Sequence, residues 1–509
     1  MRKSTSVFIT VCIGSVFSIP VQNNEDESRF TASAGRLLSE SVKSISDKLF
    51  VALTGSERAS SNVIISPVSI HFAISLLFHG SRGTTKEELS NFLKIGNINE
   101  NDLKRASQSL LQSYGTKKVE LNETIELANA LFADERLDIN RNYQETLETF
   151  LFSGVKKIDF SRPEAAAARI NNWVENKTHN LVKDLITPDA VSDESGLMLL
   201  NAIYFKANWK NNFDKMASYQ GSFYIDENMK RKVDMMSQEN TFKFTNYQDS
   251  LDCQIVALPY EDESFSMLLF LPNQQGAEAI NILSDNLSKV DFNYLLRDME
   301  EDSLILNLPK FKLSYKTELE STLRQQGLEN IFNAADFSGI ANESLEVSNV
   351  FHETRIEVNE EGSEAAGVTG ILLDLRGGMS RTPEMTLNRP FIFVIQDQAN
   401  NIPLFIGKIA SPNEVAEDAP DNENLVAPRS NLSPEDLAHL RNNPESELHL
   451  DESECYEQVE EYVNTDKVMF PCPPYDTQPI EEHKEKFGDS SRFGVNGEQA
   501  SLAYDASNI

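Results

Sequence analysis

Residues 360–376 read EEGSEAAGVTGILLDLR, and drawn as an extended strand this stretch has two chemically different faces. The charged face carries Glu364, Asp374 and Arg376. From Ser363 onward the other face is uncharged, first small and then apolar, and consists of Ser363, Ala365, Gly367, Thr369, Ile371, Leu373 and Leu375. That face predicts a strand buried in a sheet, whereas the glycines and the arginine are typical of an exposed, protease-sensitive loop. A segment suited to both states indicates a conformational switch.

The rest of the chain to residue 412 alternates helical and strand-like signals without a repeat or a linker. The whole chain of 509 residues is 40% hydrophobic, which is enough to form a full-sized core. Helical periodicity is present in 35–53, 68–79 and 163–186, and strand-like runs occupy 125–132, 197–205, 266–272 and 304–308. Residues 390–395 and 402–409 are arranged as a hairpin. These signals predict one large α+β domain over residues 19–412.

The amino terminus predicts secretion. Arg2 and Lys3 precede an apolar run at residues 7–17, and the small Ser18 offers a cleavage position, so residues 1–18 are interpreted as a signal peptide. No later stretch is apolar enough to span a bilayer, and we expect no membrane partner. The net charge of −33 argues against binding to nucleic acid. We therefore expect an extracellular protein and, by default, a monomer.

Residues 413–509 form an acidic extension, with 23 acidic residues against 6 basic ones. That composition predicts a largely disordered segment. Tyr456 and Tyr462 lie among carboxylates, a context that favours tyrosine sulfation. Two interpretations stay open, a solvated extension and a contact with a protease exosite. In an oxidising compartment Cys455 and Cys472 could form a disulfide, which would leave Cys253 as a buried, inert thiol.

Four glycosylation sequons are consistent with secretion, at Asn122, Asn176, Asn286 and Asn342. Catalytic motifs are missing by contrast. The nearest candidate for a nucleophile turn, around Ser81, lacks the spacing of a hydrolase elbow. The seven histidines show no metal-binding spacing, and no phosphate-binding loop occurs. We therefore predict no catalytic residues, no metal, no cofactor and no enzymatic activity.

Three motifs together resemble the serpin family. Residues 62–70 (NVIISPVSI) resemble the start of its shutter helix, and residues 200–209 (LNAIYFKANW) resemble its central third strand. Residues 360–367 match its hinge pattern, in which Glu-Glu-Gly-Ser/Thr-Glu precedes small residues. The resemblance covers residues 30–412. It implies a central mixed five-stranded sheet able to accept the reactive loop as an extra strand, further sheets and about nine helices.

The resemblance also implies roles for particular residues. Ser66, Ser69, Asn201 and His352 are expected to form a hydrogen-bond network, the shutter, beneath the central sheet, with Trp209 above it in the breach. The reactive loop is expected at about 360–389. Its hinge would comprise Glu360, Gly362, Ser363, Glu364, Ala365, Ala366 and Gly367. Val368 is bulkier than the usual hinge residue, but it falls on the charged, outward side and is not expected to obstruct insertion.

Counting the family's spacing from Gly362 puts the reactive bond between Arg376 and Gly377, with Arg381 as a rival. An arginine there predicts trypsin-like target proteases, which carry a carboxylate in the specificity pocket. The resemblance implies a suicide substrate that traps the protease as a covalent acyl complex. The alternative is a non-inhibitory serpin that acts as a carrier or binding protein. Glycosaminoglycan binding stays open, since the basic residues near the usual site are sparse: Lys104, Arg105, Lys117 and Lys118.

Overall fold

The computed structural model describes residues 24–115, 124–178, 182–193, 195–248, 251–363 and 382–412. The predicted signal segment, most of the predicted reactive loop with Arg376 and Gly377, and the acidic extension with Cys455 and Cys472 lie outside these ranges. So do Asn122 and residues 117–118.

Ten α-helices occur in the described residues. They are α1 (Asn24–Ser56), α2 (Pro67–Gly80), α3 (Gly83–Phe92), α4 (Glu100–Gly115), α5 (Arg141–Phe150), α6 (Pro163–Lys177), α7 (Ala277–Leu287), α8 (Phe292–Asp298), α9 (Glu320–Gln325) and α10 (Asn330–Asn333). Two short 3-10 helices span Pro188–Ala190 and Lys215–Ala217.

Fifteen strands accompany them in the same ranges. They are β1 (Val63–Ile65), β2 (Thr124–Asp134), β3 (Val155–Ile158), β4 (Leu197–Asn208), β5 (Tyr219–Tyr224), β6 (Lys230–Tyr247), β7 (Cys253–Pro259), β8 (Phe265–Pro272), β9 (Glu300–Pro309), β10 (Phe311–Glu318), β11 (Val347–Val358), β12 (Gly362–Ser363), β13 (Glu384–Thr386), β14 (Phe391–Asp397) and β15 (Ile402–Ile409).

Five long strands form a central mixed sheet in the order β10-β11-β4-β2-β3. The pairs β11–β4 and β2–β3 are parallel, and β10–β11 and β2–β4 are antiparallel. The two-residue strand β12 adds to β4. The predicted α+β class and the mixed five-stranded sheet are confirmed, and the ten helices compare with about nine expected.

The second sheet has nine strands in the order β1-β15-β14-β8-β7-β6-β9-β13, with β5 on the free part of β6. The predicted carboxy-terminal hairpin is confirmed as β14 and β15, which pair antiparallel and are buried throughout. Cys253 begins β7 and is buried, and burial raises the pKa of its thiol to about 12. That environment agrees with the prediction of an inert thiol.

Helix α2 packs against α1 and against strands of both sheets, β2, β4 and β15. Ser66 caps its first turn by accepting a hydrogen bond from the Ser69 backbone N–H (3.3 Å), and Pro67 occupies the first turn, where no N–H is needed. Every residue of α2 is buried. A helix that is buried all round needs apolar residues on all sides, which explains its composition.

Strand β4 separates two apolar cores. Its residues 197, 199, 203, 205 and 207 face the larger core, and residues 198, 200 and 202 face a smaller one formed with α6. Strand β4 is therefore almost entirely apolar between Leu197 and Ile203. Beyond that point residues 204, 206 and 208 are half-exposed.

One helix is shorter than predicted. The periodicity favoured a helix over 163–186, but α6 ends at Lys177. The Thr178 hydroxyl donates to the Val174 carbonyl (2.8 Å). Further along the chain, the Asn171 side chain accepts from the Ile186 N–H and donates to the Ile186 carbonyl. The apolar spacing continued to residues 182–186, which pack into the smaller core without being helical. Among the described residues, none of the helices combines the length and apolarity needed to cross a membrane.

Candidate functional site

The candidate site is a forked junction in the central sheet. Strands β4 and β11 are direct neighbours from the Leu197–Val347 pair to the Ile203–Thr354 pair. Above that point both strands continue, but they no longer pair with each other. Strand β12 lies at this open end, antiparallel to β4, with Gly362 opposite Asn208 and Ser363 opposite Ala207. The chain therefore turns back from β11 and starts down β4 at the place where the two strands part.

Gly362 is required by the geometry of this turn. Its φ is +142°, a conformation that residues with a side chain rarely adopt. A Cβ atom there would also overlap the backbone of Ala207 and Asn208. The turn is closed by two hydrogen bonds between the backbones of Asn359 and Gly362 (3.0 and 3.3 Å). A glycine is needed because the returning chain approaches β4 without room for a side chain.

Two glutamates anchor the turn. The Glu360 carboxylate accepts hydrogen bonds from Ser218 (2.7 Å) and Lys310 (3.0 Å), and Glu361 pairs with Lys215 (2.6 Å). Burial alone would raise the pKa of Glu360, but the hydrogen bonds from Ser218 and Lys310 outweigh it and hold the pKa below its usual value. The Glu360 carboxylate is therefore ionised at neutral pH. The partners of both glutamates come from distant parts of the chain.

Trp209 completes this upper region, the breach. Its indole N–H donates to the Asn359 carbonyl (3.0 Å), and its backbone N–H donates to the Glu361 carbonyl (2.9 Å). Its ring stacks on Tyr260, with ring centroids 4.6 Å apart. Trp209 thus holds both sides of the turn to the end of β4, as the resemblance implied.

The shutter lies lower, where β4 and β11 are still paired. The Ser66 backbone N–H donates to His352 Nε2 (3.2 Å), so this nitrogen carries no proton and Nδ1 donates to the Asn201 side-chain oxygen. Asn201 donates in turn to Ser69 and Asn129. The structure brings together all four residues expected there and adds Asn129 from β2 and Thr354, which bonds the Ile64 carbonyl (2.7 Å).

This network is neutral. His352 is completely buried, and burial lowers its pKa to about 3. A protonated imidazole would place a second donor against the Ser66 N–H, so the observed arrangement requires the neutral ring. The shutter therefore ties α2, β2, β4 and β11 together without any charge.

Several participants gave no clear signal in the sequence. Ser218, Lys215 and Lys310 are ordinary polar residues whose pairing depends on the fold. Asn129 could have been noticed, because it is an amide on the same strand parity as Leu127 and Leu131. Hinge residues Glu364, Ala365, Ala366 and Gly367 lie outside the described residues. Asn176 and Asn342 are exposed and Asn286 is half-buried.

No metal site is found where the structure describes the chain, since no group of three or more His, Cys, Asp or Glu residues is arranged to hold an ion there. The Glu360 and Glu361 carboxylates and the shutter side chains are instead paired with other groups of the protein.

The comparisons with known proteins agree with this fold. A family profile described as "Serpin (serine protease inhibitor)" matches residues 40–412. Human "Serpin B4" is 32% identical over 370 residues, covering 69% of this chain and 94% of that protein. "Serine protease inhibitor 42Dd" of Drosophila melanogaster is 32% identical over 375 residues, covering 73% and 97%. The crystal structure of human thyroxine-binding globulin complexed with thyroxine superposes with a TM-score of 0.67 at 27% identity, covering 74% of this chain and all of that one.

The α+β fold, with its mixed five-stranded sheet and its nine-stranded sheet, is shared with this solved structure. With a family profile spanning most of the folded region and relatives above 30% identity, the chain belongs to the serpin family.

Proposed function

We propose that this serpin is a secreted inhibitor that traps trypsin-like serine proteases after they cleave the bond between Arg376 and Gly377. The observation that carries the proposal is the pairing of β12 with the open end of β4. An inserting loop would continue from these two residue pairs, in the antiparallel direction along β4.

Continuing that register one residue at a time supports insertion of the loop. Ala365 would lie opposite Phe205, Gly367 opposite Ile203 and Thr369 opposite Asn201. Residues directly opposite on antiparallel strands share a face, so these small and uncharged residues would meet the larger core. Thr369, the polar member of that face among its central residues, would reach the polar shutter.

The other face of the loop is also compatible with insertion, although one of its residues would lie in an environment different from the one predicted from the sequence. Glu364 would lie opposite Lys206, where the sheet is half-exposed. Val368 was expected to point outward into solvent, but it would lie opposite Ala202, which is buried in the smaller core under α6. The even-numbered loop residues opposite that core are all uncharged: Val368, Gly370 and Leu372. Asp374 would fall just past Leu197, where β4 begins.

The chemistry begins as ordinary proteolysis. The protease serine oxygen attacks the Arg376 carbonyl carbon, and the peptide bond breaks as the Gly377 nitrogen leaves with a proton, so that an ester joins Arg376 to the protease. Water would normally hydrolyse this ester. Insertion of the freed loop competes with hydrolysis and carries the protease about 50 Å, since about 15 residues advance roughly 3.3 Å each. New ladder hydrogen bonds and burial of Ile371 and Leu373, worth about 1.5 to 3 kcal/mol per side chain, drive the movement.

A direct test is to mix the protein with trypsin and separate the products in SDS. We expect a covalent complex of summed mass, and a released carboxy-terminal fragment that begins at Gly377 by mass spectrometry. A fragment that begins at residue 382 would instead assign the reactive bond to Arg381. Cleaved protein with free trypsin and no complex would refute trapping.

That last result would favour the second candidate, a non-inhibitory binding protein. The similarity to thyroxine-binding globulin supports this alternative, because that protein was solved in complex with thyroxine on the same fold. Secretion, use of the four sequons and a contact between the acidic extension and a protease exosite belong to the main proposal. Removing residues 415–509 should leave trapping intact and slow association at low salt if the exosite contact exists. An unchanged association rate at both low and high salt would rule out the exosite contact.

A further inference from the structure

Exposed apolar side chains are concentrated on one short region next to the loop. Among the described residues, eight large hydrophobic side chains are exposed, and four of them lie between residues 216 and 229: Met216 (93%), Tyr219 (46%), Tyr224 (40%) and Met229 (42%). This region comprises the 3-10 helix Lys215–Ala217, strand β5 and the turn into β6. Such a concentration is typical of an interaction surface.

The region joins the two described ends of the reactive loop. At one end Lys215 pairs with Glu361 (2.6 Å), just before β12. At the other end the Tyr224 N–H donates to the Asn388 carbonyl (2.8 Å), where the chain returns from the loop. Strand β5 therefore runs from the loop's entry to its exit. A protease bound to the loop would lie beside this strand.

The hairpin formed by β5 and β6 has one buried and one open face. Phe223, Val233 and Met235 are buried on one side. On the other side Tyr224 lies opposite Lys230 and Ser222 lies opposite Lys232, and Tyr224 and both lysines are exposed. We call these four residues the hairpin face.

The charge of the hairpin face is unusual for this chain. Residues 230–232 (KRK) are the one run of three basic residues in a protein of net charge −33. Arg231 belongs to the other face, opposite Phe223, whereas the exposed Asp234 lies on the same side as the two lysines and accepts from Gln220. Asp226 and Glu227 lie in the turn, past the ends of the strands, where Asp226 accepts from the backbone of Asn228 and Met229. Lys230 and Lys232 thus give this side of the strands two positive charges against the one negative charge of Asp234, beside the exposed ring of Tyr224.

We infer that the hairpin face is a docking surface for the target protease, which contacts it with an acidic patch beside its active site. The inference rests on the proposed trapping function and adds a basis for choosing among proteases that share Arg specificity. Continuity with both ends of the loop selects the protease as the occupant, and the lysines select an acidic surface.

Anionic and cationic trypsin provide the test, because they share specificity for Arg but differ in surface charge. Association rate constants would be measured with the full-length protein, its Lys230→Glu/Lys232→Glu variant and the control Lys289→Glu/Arg297→Glu. The control changes the net charge equally at exposed positions on α7–α8. We expect the hairpin variant to lower the anionic-to-cationic rate ratio about tenfold at about 0.05 M salt, with little effect at about 0.5 M. The control should leave the ratio near that of the parent.

The outcomes are distinguishable. If neither trypsin forms an SDS-stable complex with the parent, the trapping proposal fails and the docking proposal falls with it. If complexes form but both variants shift the ratio equally, or neither does, the docking proposal alone is overturned. Loss of binding to immobilised heparin by the hairpin variant, with an unchanged rate ratio, would overturn it too and assign the face to a sulfated polysaccharide.

Discussion

The two ends of the β4–β11 pairing are stabilised by different kinds of interaction. At the shutter the strands are paired, and a buried, neutral network centred on Asn201 and His352 joins them to α2. At the breach the strands have parted, and ion pairs of Glu360 and Glu361 secure the returning chain. A neutral buried network is costly to leave unsatisfied, whereas partly exposed ion pairs contribute little each. The difference indicates a sheet that is open at the breach and closed at the shutter.

The largest effect is expected when a charge is placed where the inserting loop would meet the shutter. Thr369→Arg would force a guanidinium against Asn201, so insertion should become too slow to compete with hydrolysis. We expect trypsin to cleave the variant without a lasting complex, a loss of trapping of at least about tenfold by gel densitometry. The control is Ala366→Arg, which would lie opposite half-exposed Tyr204 and should still trap. Equal trapping by Thr369→Arg and the parent would contradict the register.

At the breach, Gly362→Ala tests whether β12 needs its special backbone. The added Cβ would meet the Ala207 backbone at a φ of +142°, which should destabilise the protein by about 1 to 3 kcal/mol in urea unfolding. Gly55→Ala is a matched control, because nothing lies within 4 Å of a Cβ there and no positive φ is present. An equal effect of the two substitutions would show that β12 contributes nothing at the breach.

Lowering the pH should distinguish the shutter from the breach through its effect on stability. The pKa of His352 is about 3 in the folded state, against about 6.5 when unfolded, so its contribution is complete above pH 6.5 and decreases as the pH falls towards 3. Between pH 6.5 and 5 the loss should be about 2 kcal/mol. His352→Gln should lack this portion of the pH dependence, while the portion from buried His71, whose pKa is also lowered to about 3, remains. Identical pH profiles for parent and variant would rule out His352 as the titrating group.

The smallest effect is expected for the ion pair at Glu360. Lys310→Ala removes one partner, but the Ser218 hydrogen bond remains, so the loss of stability should be about 1 kcal/mol or less. Adding salt should reduce the difference between parent and variant. A loss of several kcal/mol that is insensitive to salt would mean that the breach is as tightly integrated as the shutter.

Much of the framework could be predicted from local pattern. The apolar run of β4, the capped start of α2 and the carboxy-terminal hairpin follow from composition and periodicity, which are local properties. The shutter residues were expected through the family motifs. The end of α6 was missed, because apolar spacing reports burial and not the conformation that achieves it.

The sequence by itself determined the family, the central strands and the alternation that makes residues 363–375 suited to insertion, since side-chain periodicity is encoded residue by residue. Only the tertiary structure decided that β12 pairs with β4, that Lys310, Ser218 and Lys215 hold the two glutamates, and that the Ala202 side of β4 is covered by α6. The physical reason is that the contacts of β12 and of the two glutamates join residues from 50 to about 155 positions apart, whose meeting depends on how whole sheets and helices pack.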